Sequence, residues 1–267
     1  MKSIILAIAF IIAVCGAAQA QQISIQPSIL DYHLAPGNTE SQAITITNLS
    51  RKKMIFEANL ADWLRDSTGS HEYYKADTLL RSCANWVSVD KDLIELEPGE
   101  SKNLLVKLRV PADPAMAKEM KWAMLFLQSV SEQDSTSRDK KKVSTKINEV
   151  VRVGIHIYQT PPYLTRKEAK AVSFTSVAGE KNSYEFTMAN TGDVMLHCKA
   201  HLELTNVASG KETKLNNIEF PVFPGGARKI KLVVPGNLSS GKYSALAVLD
   251  LDEDLALEAL EKEIEVR

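Results

Sequence analysis

One pattern of strand and turn is written twice along this chain, and that repeat limits the fold more than any other feature. Gly37 is followed by an alternating run that ends at Asn48, and Gly179 by a second that ends at Asn190, each asparagine eleven residues after its glycine. Ile44 and Ile46 alternate with threonines in the first run, and Tyr184, Phe186 and Met188 with smaller or polar residues in the second. A period of two sends one apolar face inward from a β-strand. Counting 6, 8, 10 and 12 residues on from the asparagines gives Met54, Phe56, Ala58 and Leu60 in one copy and Leu196, Cys198, Ala200 and Leu202 in the other. Further on, LEPGESKNLLVKLRVP ends at Pro111 and FPGGARKIKLVVP at Pro235, with Val110, Leu108, Val106 matched by Val234, Leu232, Ile230. KWAMLFLQSV (121–130) and KYSALAVLDL (242–251) then read as equivalent strands. Short alternating strands set off by Pro-Gly and Asn-rich turns predict an all-β chain of two tandem immunoglobulin-like β-sandwich domains, each with about seven strands. In this register Cys198 faces the core, whereas His197 and His201 lie on the outer face and form no metal site.

The first twenty residues read as a secretory signal peptide: Lys2, an apolar run from Ile4 to Val14, and Ala18-Gln19-Ala20 before a cut at Gln21. The run is too short to span a bilayer, and Val14 disfavours a lipidated Cys15. The expected domains are therefore 21–162 and 163–267, joined where Pro161-Pro162 stops a strand. Residues 256–267 fit either a helix face or a closing strand, and the sandwich plan favours the strand. Export would place Cys83 and Cys198 in an oxidising compartment, yet they fall in different halves and are not expected to pair.

The net charge of −1 argues against nucleic acid, which requires a clustered cationic surface. Lys140-Lys141-Lys142 reads as a solvated loop, and the acidic turn around Asp250, Asp252, Glu253 and Asp254 as a hairpin tip rather than a calcium loop. Catalytic signatures such as a nucleophile elbow, a zinc helix or a phosphate loop do not occur, so neither an enzyme nor a cofactor is expected. A protein or peptide partner is.

Function is sought where the copies differ. Asn48 to Pro98 spans 50 positions and Asn190 to Pro224 only 34, the extra residues falling around 62–86. They include Trp63 and Trp86, which suit either a binding surface or plugs at the ends of a sandwich, the plug being favoured for Trp86, and Tyr73 and Tyr74, which suit either a binding surface or an ordinary one. Residues 131–146 read as a polar loop. After it, Val143, Ile147, Val151, Val153, Ile155 and Ile157 share one parity on an unusually long strand. Such a strand can template the addition of a partner's strand, its alternating side chains filling the partner's groove. Aspartate at Val151 or Ile155 would then abolish capture without unfolding the protein.

The order ISIQPSILDYHLAPG (23–37), DLIELEPGESKNLLVKLRVP (92–111), loop, VVRVGIHIYQTPP (150–162) resembles the periplasmic pilus-chaperone (PapD-like) family, and also the WxL-interacting surface proteins. The first resemblance implies a boomerang of two sandwiches in a periplasmic chaperone that lends the strand Val143–Ile157 to a pilin-like or surface subunit. It also implies two cleft cations for the subunit's carboxylate. This chain departs there: residues 21–50 hold no Arg or Lys, and Arg152 lies near the second position but out of register. The second resemblance implies a structural or adhesive module of the cell envelope.

Overall fold

In a computed structural model, residues 22–130, 150–251 and 255–266 are described. The signal-peptide reading, the 131–146 loop, Val143, Ile147, the Lys140–Lys142 triplet and most of the acidic turn lie outside them. The fold is all β. The strands are β1 (Ile23–Gln26), β2 (Ile29–Tyr32), β3 (Thr39–Asn48), β4 (Met54–Arg65), β5 (His71–Lys75), β6 (Val87–Val89), β7 (Leu93–Leu96), β8 (Ser101–Arg109), β9 (Lys121–Ser129) and β10 (Arg152–Gln159). Then come β11 (Ala169–Ser176), β12 (Ser183–Asn190), β13 (Leu196–Asn206), β14 (Glu212–Lys214), β15 (Ile218–Val222), β16 (Ala227–Val233), β17 (Gly241–Asp250) and β18 (Glu258–Val266). The closing segment is thus a strand. No helix of the described residues is long and apolar enough to cross a membrane.

Two tandem immunoglobulin-like sandwiches result. In the first, a sheet ordered β1-β3-β8-β6 faces one ordered β2-β10-β9-β4-β5, with β7 also paired to β4. In the second, β11-β12-β16 faces β14-β13-β17-β18, with β15 also paired to β13. Both have more strand segments than the seven expected, because short edge strands such as β5, β6 and β14 add to the basic set.

The repeat read from sequence is a repeat of hydrogen bonds. Asn48 donates from Nδ2 to the Lys52 and Leu96 carbonyls at 2.8 and 3.0 Å, and its Oδ1 accepts from Ser50 N–H at 2.9 Å. Asn190 donates to Val194 and Val222, both at 2.9 Å, and accepts from Gly192 N–H at 2.9 Å. Each asparagine carbonyl also takes the N–H of the glycine in the second Pro-Gly turn, Gly99 and Gly225. Those glycines have φ of +76° and +74°, a region closed to most side chains. An asparagine serves here because one short side chain both donates and accepts, satisfying buried backbone groups that no apolar residue could.

The sandwich cores hold the predicted residues. Phe56, Ile44, Ile46 and Leu104 are fully enclosed in the first, with Met54, Ala58 and Leu60 packed against it. Phe186, Cys198, Ala200 and Leu202 fill the second. Each large side chain so enclosed contributes about 1.5–3 kcal/mol. Tyr32 crosses between sheets, its hydroxyl donating to the Val106 carbonyl at 2.8 Å. Cys83 and Cys198 are buried free thiols, and burial pushes the Cys198 thiol up to about 12.

One expectation about burial fails. His201 is not on an open face: it is 5% exposed, with Nε2 2.9 Å from Glu203 Oε1. β13 is central, with neighbours on both edges, and the residue paired with His201 on β17, Val248, is itself buried. His197 is exposed, as read. Of the two readings left open for Trp63, the plug of a sandwich end is not the one the structure shows, and where Trp63 goes shapes the candidate site.

Candidate functional site

β10 carries the strand singled out from sequence. It pairs antiparallel with β9 along its whole length, Arg152 opposite Gln128 through Gln159 opposite Lys121. Its other edge is covered only in part, by β2, which runs parallel beside His156–Gln159. Among the described residues Arg152, Val153, Gly154 and Ile155 have no strand on that side. Ser129 N–H donates to the Val151 carbonyl, and His156 N–H donates across the opposite edge to Ser28. Alternation then turns the N–H and C=O of Arg152 and Gly154 away from β9, toward the open edge.

The side chains obey the same alternation. Ile155 is fully buried in the first core, and Val151 and Val153 pack half-buried against it. The expectation that these side chains project toward a partner is corrected: they are already used by the chain's own core. Aspartate at Ile155 would therefore disrupt the fold rather than remove a contact. What this edge offers is its backbone. Val143 and Ile147 lie outside the described residues.

Opposite parity puts Arg152, Gly154, His156 and Tyr158 on the outer face of the sheet. Arg152 is exposed and its guanidinium sits 3.6 Å from the centroid of the Phe126 ring. Tyr73 packs on the same ring, 5.1 Å between centroids and 72° between planes. The structure therefore brings Arg152 and Tyr73 together through Phe126. Tyr74 points to the other side of β5, its hydroxyl donating to Glu72 Oε2 at 2.7 Å, a bond that holds the phenol above its ordinary range. Phe126 was missed, though a signal existed: KWAMLFLQSV is apolar at both parities, as a strand covered on both faces should be.

That second covering is the other sandwich. Trp63, Trp122, Met124, Phe126 and Tyr158 form a third apolar cluster with Phe223, from the turn between β15 and β16. Phe223 lies edge-on to Trp63, with ring centroids 5.2 Å apart. Since Phe56, Ala58 and Leu60 point inward, Trp63 must point outward, and it is nevertheless wholly buried because the second sandwich lies over it. Trp86, by contrast, packs against the first core as expected.

Beside Trp63 stand His71 and His156, 4.8 and 4.9 Å away between centroids. Arg65 Nη2 is 2.7 Å from His71 Nε2, so that nitrogen accepts and the ring is neutral. Burial and then the Arg65 charge lower the His71 pKa. Burial lowers that of His156 to about 4, helped by His71 and Arg65. Three nitrogenous side chains share a small space, and burial beside the Arg65 guanidinium keeps both imidazoles neutral at neutral pH.

The extra segment 62–86 is an interdomain clasp. Asp62 turns inward and accepts from the N–H groups of Asp77, Thr78 and Leu79 at 3.2, 2.8 and 2.8 Å, and from Ser82 Oγ at 2.6 Å. The turn before β5 reaches the second sandwich, where Lys229 N–H of β16 donates to the Ser67 carbonyl at 2.8 Å. Between the sandwiches lies a cleft of about 460 Å³ whose walls include Leu79, Leu80, Trp122, Phe223 and Arg228.

No protein-family profile matches the chain, and no curated protein matches it in sequence. Solved structures do match in shape. A chain of the chaperone–tip adhesin complex described as vital for synergistic activation of CFA/I fimbriae biogenesis aligns at 12% identity, over 91% of this chain and 98% of that one, with a TM-score of 0.50. The class 5 fimbriae chaperone CfaA aligns at 14% identity over 90% and 98%, with a TM-score of 0.48. A chain of the Salmonella enterica SafA pilin–SafB chaperone complex aligns at 13% over 91% and 98%, with a TM-score of 0.46. The first of these likenesses is one of fold: this chain has the two-sandwich plan found in a fimbrial chaperone complex.

Proposed function

We propose that this is a chaperone-like protein of the bacterial periplasm that binds an extended segment of a secreted or surface-assembled protein by adding a strand at the open edge of β10. The observation that carries this reading is that, among the described residues, no strand pairs the outer edge of Arg152–Ile155, where Arg152 and Gly154 present main-chain donors and acceptors beside a sheet already complete on its other side. An unpaired strand edge is a template for another chain, which natural proteins usually block. Fold likeness to fimbrial chaperones supports the reading. Arg152, on the outer face beside the edge, would contact the partner's side chains, whereas Phe126 is buried on β9 and Tyr73 and Tyr74 stand on β5 at the far edge of the sheet.

A substitution that changes only the open edge tests this. Arg152→Pro removes an N–H that β9 does not use, so the chain's own ladder is kept. Arg152→Ala controls for the cation over Phe126. Surface plasmon resonance with a lysine-flanked peptide of alternating Val and Thr should show binding to the native protein and to Arg152→Ala, and loss of about tenfold or more in Arg152→Pro. Equal binding by folded Arg152→Pro and Arg152→Ala would dismiss the edge.

A further inference from the structure

We propose that β5 pairs edge to edge with β5 of a second copy of this chain, antiparallel and about a twofold axis at Tyr73. The register of β4 against β5 sets Leu64 opposite Glu72 and Asp62 opposite Tyr74. At the turn between them, Asp66 N–H donates to the Ser70 carbonyl. Alternation then gives the main-chain groups of Glu72 and Tyr74 to β4 and turns those of His71, Tyr73 and Lys75 away from it. β5 ends its sheet, so among the described residues no strand lies on that side. The matching hairpin of the second sandwich ends in β14, which has three residues, whereas the extra segment of the first copy extends β5 to five.

The sequence of this edge, His71-Glu72-Tyr73-Tyr74-Lys75, is complementary to itself in reverse. Tyr73 then faces its twin, Glu72 faces Tyr74, and His71 faces Lys75. Tyr73 and its twin exchange both main-chain bonds, and His71 and Lys75 do so with each other. Within one chain the Tyr74 hydroxyl already donates to Glu72 Oε2 at 2.7 Å, and the same donor and acceptor meet across the pair. Like charges are kept apart, because His71 accepts from Arg65 and is neutral where it faces Lys75. Tyr73 and Tyr74 are 48% and 37% exposed. Tyrosine is enriched where proteins meet, and an aromatic pair across two strands adds attraction. β16 also ends its sheet, but pairing with itself about Lys231 would set that lysine against its twin, which is unfavourable. β10 stands away from β5 in the sheet order, so the pairing leaves its open edge free.

Sedimentation velocity on the purified protein, from micromolar to millimolar concentration, tests the inference. A reversible dimer is expected, and a weak one, because so short an edge sits at the small end of specific interfaces. Tyr73→Pro removes an N–H that β4 does not use, keeps the hairpin, and should weaken association about tenfold or more. Cysteine trapping reads the register. At the twofold axis the Cα atoms of Tyr73→Cys would lie about 5.5 Å apart, within reach of a disulfide. Those of Lys75→Cys would be more than roughly 12 Å apart. Under mild oxidation Tyr73→Cys should therefore give a covalent dimer and Lys75→Cys should not, and the native Cys83 and Cys198 are buried and do not compete. A monomer at every concentration, as expected if β5 instead serves a strand of another protein, would overturn the proposal. Equal trapping at both positions, or undiminished association by folded Tyr73→Pro, would do the same.

Discussion

Gly69 of the first sandwich lies against the guanidinium of Arg228 in the second. A Cβ at Gly69 would come within 2.7 Å of Arg228 Cζ, and the backbone there has φ of +103°, which side chains rarely adopt. Together with the Ser67–Lys229 hydrogen bond, this contact sets the turn before β5 into the edge of β16.

Gly69→Ala should therefore loosen the joint between the sandwiches without opening either core. The backbone strain at that φ suggests a loss of about 1–3 kcal/mol, and the Arg228 guanidinium must shift to admit the methyl group. Small-angle scattering should show a broader distribution of interdomain angles, with the far-ultraviolet dichroism of a β protein retained. An unchanged scattering profile and melting temperature would mean the clasp does not hold the domains.

Acid should weaken the same joint through His156. Its folded pKa, about 4, lies below the ordinary histidine value near 6.5, because burial and the Arg65 and His71 side chains disfavour the cation. Between those values the unfolded chain takes up a proton that the folded chain refuses. The stabilisation is thus complete above about pH 6.5 and is lost as pH falls toward 4. His156 is only partly enclosed, so screening reduces the effect to roughly 1–2 kcal/mol. Urea midpoints at pH 7.5 and 4.5 should fall further for the native protein than for His156→Phe. Identical falls would remove His156 from the account.

The two corner asparagines should behave as a pair. Asn48 and Asn190 each hold two carbonyls and one N–H in matching positions. Replacing either by Ala leaves buried backbone groups unpaired, at about 2–4 kcal/mol. Scanning calorimetry of Asn48→Ala and Asn190→Ala should show similar losses. A large effect at one site and none at the other would show that the repeat in sequence is not a repeat in energetics.

How much of this was readable from sequence follows from which forces act locally. The alternation around Ile44, Phe56, Phe186 and Cys198 placed both cores correctly, because a period of two is a direct consequence of strand geometry. The asparagine corners were visible as spacing, although not as hydrogen bonds. His201 was misplaced and Trp63 left open since their burial depends on what lies over a sheet's outer face, and a single strand carries no record of its neighbours. The 62–86 segment was rightly seen as the main difference between the copies, yet its role as a clasp needs Arg228 and Lys229, more than 140 residues away. At β10, parity correctly grouped Val151, Val153 and Ile155; which side faces the core could not be told without β9 beside it.

The most direct test of strand addition is amide hydrogen exchange at the open edge, measured by NMR with and without the lysine-flanked Val-Thr peptide. The account predicts that Arg152 and Gly154 N–H, exchanging freely alone, become protected on binding, while Val153 and Ile155, already bonded to β9, change little. Binding that leaves Arg152 and Gly154 as fast as before would contradict it.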